Sequence, residues 1–185
     1  MGANTTNALF FLVTTLFDLY MGALLMRVLL QVVRADFYNP LSQLVWKVTN
    51  PVVMPMSRVI PRANKIDIAG GVALLIVAII YVAVVGWMFS TGISLPSMVL
   101  YAVLKCAVLL VNVYSLTLFT QAILSWVGSG VSNPAANVLF SINEPLLRRV
   151  RRFIPPLSGL DLSPMVVILA LQVLNRLIPL PFYFR

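Results

Sequence analysis

NPLSQLVWKVTNPVVMPMSRVIP, residues Asn39 to Pro61, returns as NPAANVLFSINEPLLRRVRRFIP, residues Asn133 to Pro155, at an offset of 94 with no gap. Asn39-Pro40 matches Asn133-Pro134, Pro51 matches Pro145, Arg58 matches Arg152 and Ile60-Pro61 matches Ile154-Pro155. The register extends outward on both sides, where Tyr20 matches Tyr114 and Asp67 matches Asp161. Each copy has a long apolar stretch before this segment and a second one after it. The chain therefore reads as a duplicated two-span membrane module, residues 1–94 and 95–185.

Composition agrees with that class. Hydrophobic residues make up 61% of the chain and charged ones 10%, with a mean hydropathy of +0.98, against roughly 25% charge in soluble domains. A hydrocarbon core of about 30 Å takes about 20 apolar residues to cross. Four segments meet that length: Ala8 to Val33, Ile68 to Phe89, Met98 to Val127 and Leu162 to Leu180. The first and third exceed it and are free to tilt or protrude. No Lys or Arg precedes the first apolar run, so it reads as a retained span and not as a cleaved signal peptide. The expected fold is all-α and integral to the membrane, with four transmembrane helices arranged as two parallel two-span repeats.

Charge placement sets the orientation. Arg34, Lys47, Arg58, Arg62 and Lys65 lie between spans one and two, and Arg148, Arg149, Arg151 and Arg152 between spans three and four, whereas Ser90 to Ser97 carries no charge. The positive-inside rule puts both long loops in the cytoplasm and both termini outside. Two spans per copy make the repeats parallel, related by an axis along the membrane normal. The net charge of +8 then gives a basic inner face suited to anionic lipid. Without a stacking platform or a recognisable binding fold, direct nucleic-acid binding is not expected.

Within each long loop, prolines bracket an amphipathic segment. Leu146, Leu147, Val150, Phe153 and Ile154 recur at helical spacing opposite four arginines, and Val52, Val53, Met56, Val59 and Ile60 repeat the pattern. Proline at the first position suits a helix start, and Pro61 and Pro155 stop it. These interfacial helices, within about 40–60 and 134–154, are expected to lie in the inner interface with the apolar side toward acyl chains and the arginines toward phosphates. A short preceding helix, Leu41 to Val48 and Ala135 to Ile142, connects each long span to this plate. The candidate headgroup-binding residues are Arg148, Arg149, Arg151, Arg152, Arg58 and Lys47; the alternative is an inert amphipathic linker.

RADFYNPLSQLVWKVTNPVVMPMSRVIP, from Arg34 to Pro61, with its echo NEPLLRRVRRFIPPLSGLDLSP from Asn143 to Pro164, resembles the YggT family of bacterial inner-membrane proteins, which includes the YlmG proteins and plastid relatives. The likeness runs over essentially the whole chain. It implies a small multi-pass inner-membrane protein, and it brings associations with osmotic-stress tolerance and potassium uptake, with the division gene cluster, and in plastids with cytochrome b6 maturation and nucleoid distribution. Protein partners in division or stress response are what the resemblance implies. One departure is that Met56-Ser57-Arg58 stands where many relatives are more densely basic.

The reactive inventory is short. There is no His, the commonest general base and metal ligand, and the one cysteine, Cys106, sits inside span three. No acid pair suggests hydrolysis and no glycine-rich loop suggests nucleotide binding, so neither enzyme activity nor a cofactor is expected. Asp67 and Asp161 stand at the entrances of spans two and four, where an Asp caps the first helical turn; ion coordination is the alternative.

Polar residues inside the spans are the remaining candidates. Tyr114, Thr117, Gln121 and Ser125 form one stripe down span three, and Tyr20, Arg27 and Gln31 occupy the same places on span one. Parallel repeats are expected to bring the stripes together around the pseudo-two-fold axis, as interhelical hydrogen bonds or as the lining of an ion path. Asp18, about 24 Å above the boundary at Arg34, is matched in depth by Arg176 at about 22 Å, which predicts an ion pair, whereas Lys105 is expected to reach the outer headgroups. Two functions follow: an organising or adaptor protein with a basic lipid-binding face, or an ion channel or transporter subunit, potassium by resemblance, working as a homo-oligomer.

Overall fold

The computed structural model describes residues 3–60, 67–127, 134–154 and 161–185. These residues form six α-helices and one 3₁₀ turn, with no strand among them. In order they are α1 (Ala3–Val32), α2 (Pro40–Ser57), α3 (Ile68–Met88), α4 (Leu95–Val127), α5 (Pro134–Val150), α6 (Ser163–Leu177) and the 3₁₀ turn Phe182–Phe184. Arg62, Lys65 and the stop prolines Pro61 and Pro155 lie outside the described residues.

Three helices, α1, α3 and α4, are long and apolar enough to cross a membrane. The expected fourth span, Leu162 to Leu180, is not among them: α6 is a shorter apolar helix of 15 residues, about 22 Å of rise. Pro179 and Pro181 follow within four residues of its end and cannot continue the ladder. The non-helical tail carries the chain further. Ser163 at the start of α6 lies 3.4 Å from the Ile154 carbonyl beyond α5, while the Tyr183 ring packs 5.4 Å from Phe89, just past the far end of α3. Residues 163–184 thus run from the end of α5 to the far end of α3. The tail's polar backbone is held internally: Tyr81 Oη donates to the Phe184 carbonyl at 3.3 Å, and Arg185 Nη2 donates to the Asn175 and Ile178 carbonyls at 3.1 and 2.8 Å.

The core gathers on α3, which packs on α1, α2 and α4. Ala73, Ala78, Tyr81, Val82 and Val85 of α3 meet Met21 and Leu24 of α1, all fully buried. Gly70 allows close approach, since a Cβ there would stand 3.4 Å from Val28 and 3.2 Å from the Asp67 carboxylate. Helix α4 packs on α6 as α1 packs on α3, and α2 and α5 each lie against the pair of their own half.

Helices α2 and α5 correct the expected division into a connector and a plate. Asn39 caps α2 by accepting from the Leu41 N–H at 2.9 Å, with Pro40 in the first turn; the helix then runs unbroken through Pro51 and Pro55, as α5 runs through Pro145. A proline inside a helix removes a ladder bond, but Ser42, Val45, Thr49 and Val53 keep one buried face along the whole of α2. That face corrects in part the expectation that the apolar side turns to acyl chains, since Val59 and Phe153 stay 83% and 86% exposed while the residues nearer the helix middles are buried. Val53 and Leu147 are fully buried, and Leu146 and Val150 pack on Leu118 and Val167.

Candidate functional site

Three polar clusters tie these elements together. In the first half, Arg27 on α1 donates from Nε to the Asp67 carboxylate at 2.9 Å and from Nη1 to Thr49 on α2 at 3.1 Å, and its guanidinium lies 3.6 Å over the Trp46 ring. Asp67 caps α3 by accepting from the Gly70 N–H at 3.1 Å, and its own N–H donates to the Gln31 side chain at 2.8 Å. Arg27 and Asp67 are only 4% and 7% exposed. A charge pair this buried holds because Nε and Nη1 both have acceptors and the guanidinium face lies on Trp46; removing either side leaves an uncompensated charge and costs about 3–5 kcal/mol.

The second half makes the same connection without charge. Gln121 stands at the position of Arg27 and Asn143 at that of Thr49, both displaced by 94. Asn143 Nδ2 donates to Gln121 Oε1 at 2.9 Å, and Thr117 Oγ1 donates to Asn143 Oδ1 at 2.8 Å. Asp161, the counterpart of Asp67, takes its guanidinium from the end of α5: Arg151 donates to it from Nε and Nη2 at 2.9 and 2.7 Å and reaches Glu144 at 3.0 Å. Asp161 also accepts from the Ser163 N–H at the start of α6. Burial pushes the Asp161 carboxyl up, but the hydrogen bonds from Arg151 and Ser163 and the Arg151 charge outweigh it and hold the group below its ordinary value.

The third cluster corrects the expected Asp18–Arg176 pair. Asp18 Oδ1 forms an ion pair with Lys105 Nζ at 2.7 Å, and that ammonium lies 4.6 Å from the Tyr81 ring centre. Lys105 is 2% exposed and so does not reach for headgroups. Arg176 is exposed, one residue and about 100° of helix turn from Asn175, which donates to Asn112 on α4 at 2.9 Å. Matching depths fixed heights without neighbours: α6 packs on α4 and α5, and α1 on α3 and α4. A cavity of about 500 Å³ lies between α1 and α4, lined by Asp18, Lys105, Asn112 and Thr117 among apolar residues.

The expected meeting of the two stripes is corrected as well. Arg27 and Gln31 bond within the first half, Thr117 and Gln121 within the second, and no hydrogen bond joins the stripes among the described residues. Tyr20 and Tyr114 are half-buried and Ser125 is exposed. Of the basic candidates, Arg148, Arg149, Arg152, Arg58 and Lys47 are exposed, whereas Arg151 is committed to Asp161 and Glu144. Thr49, Asn143 and Trp46 were not anticipated. The available signal was the polar residue two places before Pro51 and Pro145 in both copies. Among the described residues, no group of three or more His, Cys, Asp and Glu is placed to hold a metal ion.

The profile of the CCB3/YggT family matches residues 6–88 and again 100–182, two segments that begin 94 apart. The chain belongs to the CCB3/YggT family. It is 38% identical over 169 residues to the uncharacterized protein YggT of Escherichia coli K12, covering 91% of this chain and 88% of that one. It is 36% identical over 180 residues to the uncharacterized protein PA0392 of Pseudomonas aeruginosa, covering 96% and 90%. YlmG homolog protein 2, chloroplastic, of Arabidopsis thaliana matches at 46% over 65 residues, 35% of this chain and 24% of that protein. No solved structure matches. The names of these relatives assign no reaction.

Proposed function

We propose that this member of the CCB3/YggT family is a non-enzymatic organiser of the bacterial inner membrane, with four crossings, both termini periplasmic and a basic cytoplasmic face that binds anionic lipid. The fourth crossing is α6 completed by its aromatic tail, which supports a parallel pair of two-span repeats. The observation that carries the lipid reading lies at the end of α5. Arg148, Arg149 and Arg152 are exposed there without an acidic partner among the described residues, and Phe153 beside them is 86% exposed. Exposed arginines next to an exposed ring suit phosphates above and acyl chains below, with about 1 kcal/mol for each basic residue near an anionic surface.

The conduction reading draws less support, because the stripe residues that would line a path are hydrogen-bonded inside each half. Partners in division or osmotic stress belong to the same proposal. The test is the full chain in nanodiscs of mixed neutral and anionic phospholipid. Enrichment of anionic lipid around the protein is expected to fall with rising salt and with Arg148→Gln/Arg149→Gln/Arg152→Gln. Equal enrichment of neutral and anionic lipid would sink the reading, and cation flux through liposomes of pure protein would favour the channel.

A further inference from the structure

We propose that the cavity between the end of α1 and the start of α2 is a discrete site for the phosphate of one phospholipid headgroup. The proposal rests on the reading that this end of the molecule meets anionic lipid, but it uses residues of the first half, not those of α5. The cavity measures about 310 Å³, and its polar lining is Arg27, Gln31, Arg34, Ser42 and Trp46.

Two observations point to a ligand. Ser42 is 6% exposed and its buried hydroxyl has no hydrogen-bond partner among the described residues, a costly state for a polar group unless something accepts from or donates to it. Arg34 is exposed and makes no ion pair among the described residues. It stands where the chain leaves α1 with a left-handed φ of 53°, so its placement beside the cavity is set by the turn.

The charge count selects the class of ligand. Asp67 balances Arg27, leaving the Arg34 charge uncompensated, which matches one phosphodiester charge. Asp36, the nearest acid in sequence, is turned to the neighbouring cavity with Asn39 and Asn137, and its carboxylate accepts from the Tyr38 N–H at 2.9 Å. Ser42 lies in the first turn of α2, where the helix dipole favours an anion. The carbonyls ending α1 are already taken by the N–H groups of Val33, Arg34 and Ala35 at 2.8 to 3.0 Å. Phe37, in the cavity wall with Leu30, Ala35 and Val45, is 53% exposed, apolar surface for the acyl chains that a free phosphate would lack. The second copy has no such set: Gln121, Ser125, Ala136 and Phe140 occupy the positions of Arg27, Gln31, Ser42 and Trp46, and the sequence has Gly128 where Arg34 would be.

Native mass spectrometry of the full chain in detergent, titrated with phosphatidylglycerol, tests this directly. One lipid is expected to bind more tightly than all later ones. Arg34→Gln/Ser42→Ala is expected to weaken that first lipid about tenfold, since removing one hydrogen bond from a hydroxyl or a charged group typically costs about that factor. Arg34→Gln alone, at an exposed position outside the packed core, should show part of the loss and guards against misfolding. The α5 triple variant lowers uptake of the later lipids, so the two proposals fail separately. Brominated phosphatidylglycerol should quench Trp46, compared through Trp46→Phe, whereas inorganic phosphate alone should not alter its emission. First-lipid affinity equal in the double variant and the wild type would overturn the site, and a Trp46 response to inorganic phosphate without one to the lipid would overturn the phospholipid assignment.

Discussion

Replacing Arg27 with glutamine installs on α1 the side chain that the second half carries at Gln121, without the rest of the second half's arrangement. Asp67 would remain 7% exposed with its guanidinium gone, still capping Gly70 but carrying a buried charge with no cation. Breaking a buried pair from one side costs about 3–5 kcal/mol. Removing the Thr49 hydrogen bond and the guanidinium stacked 3.6 Å over the Trp46 ring places the expected value at the upper end, about 4–5 kcal/mol. The second half shows how to recover it. Arg27→Gln with Thr49→Asn rebuilds the amide pair of Gln121 and Asn143, and adding Ser57→Arg puts a guanidinium at the position of Arg151, from which Asp161 is held at 2.7 Å. The triple variant is expected to regain at least half of the loss. Thermal unfolding in detergent can be followed by a thiol-reactive dye at Cys106, the single cysteine. A cost below about 1 kcal/mol for Arg27→Gln, the value typical of a surface pair, would refute the reasoning.

Asp18→Asn is expected to destabilise the chain by about 3 kcal/mol or more because Lys105 stays buried without its anion, while Asp18→Asn/Lys105→Met recovers most of it and Arg176→Gln changes stability by less than about 0.5 kcal/mol; the same thiol assay separates the three. Asp161 has its pKa held below the ordinary 3.8, so its contribution is present above that value and is lost as pH falls through the lower folded-state pKa. Acid titration of unfolding should therefore lose a component below about pH 4 in Asp161→Asn relative to the wild type. Gly70→Ala is expected to cost about 1–3 kcal/mol, since the new Cβ would stand 3.2 Å from the Asp67 carboxylate and 3.4 Å from Val28; thermal unfolding unchanged from wild type would show that Asp67 has room to move.

The duplication, the long apolar helices and the helical character of both loop segments were legible in the sequence because they depend on local pattern: apolar run length, proline position and the 94-residue register. Which face of α2 is buried was not, since Val52, Val53 and Met56 look equally suited to acyl chains and to a neighbouring span. Thr49 and Asn143 mark that choice, since Thr49 accepts from Arg27 on α1 and Asn143 bonds to Thr117 and Gln121 on α4. The Asp18 pairing failed for a related reason. Counting residues from a loop gives depth along one helix, but α1 and α4 differ in length, 30 and 33 residues, and counts begun at their inner ends share no common zero. That count sends Lys105 to the outer surface, yet its long side chain meets Asp18 at 2.7 Å. The end of span four was misread because hydropathy counts Leu180 as apolar whether or not Pro179 and Pro181 permit a helix.

The two halves pair the same positions while differing in chemistry, and the difference has a direction. Where α1 meets α2 the link is a charged Arg27 with Thr49, backed by Trp46; where α4 meets α5 it is the neutral pair Gln121 and Asn143. The acid opening the following helix is present in both, so a guanidinium must be found for it in both. In the first half it comes from inside the bundle, 4% exposed. In the second it comes from Arg151, 32% exposed, at the end of a helix whose other arginines remain open to solvent. Arg27 thereby brings a cation to the wall of the cavity beside Ser42 and Arg34, while the second half keeps its cations on the outer side of α5. A duplication that began with equal halves would have two like surfaces. This one has a recessed basic cavity on one side and an exposed basic ridge on the other, which is the asymmetry expected of a single bound headgroup beside a diffuse anionic contact.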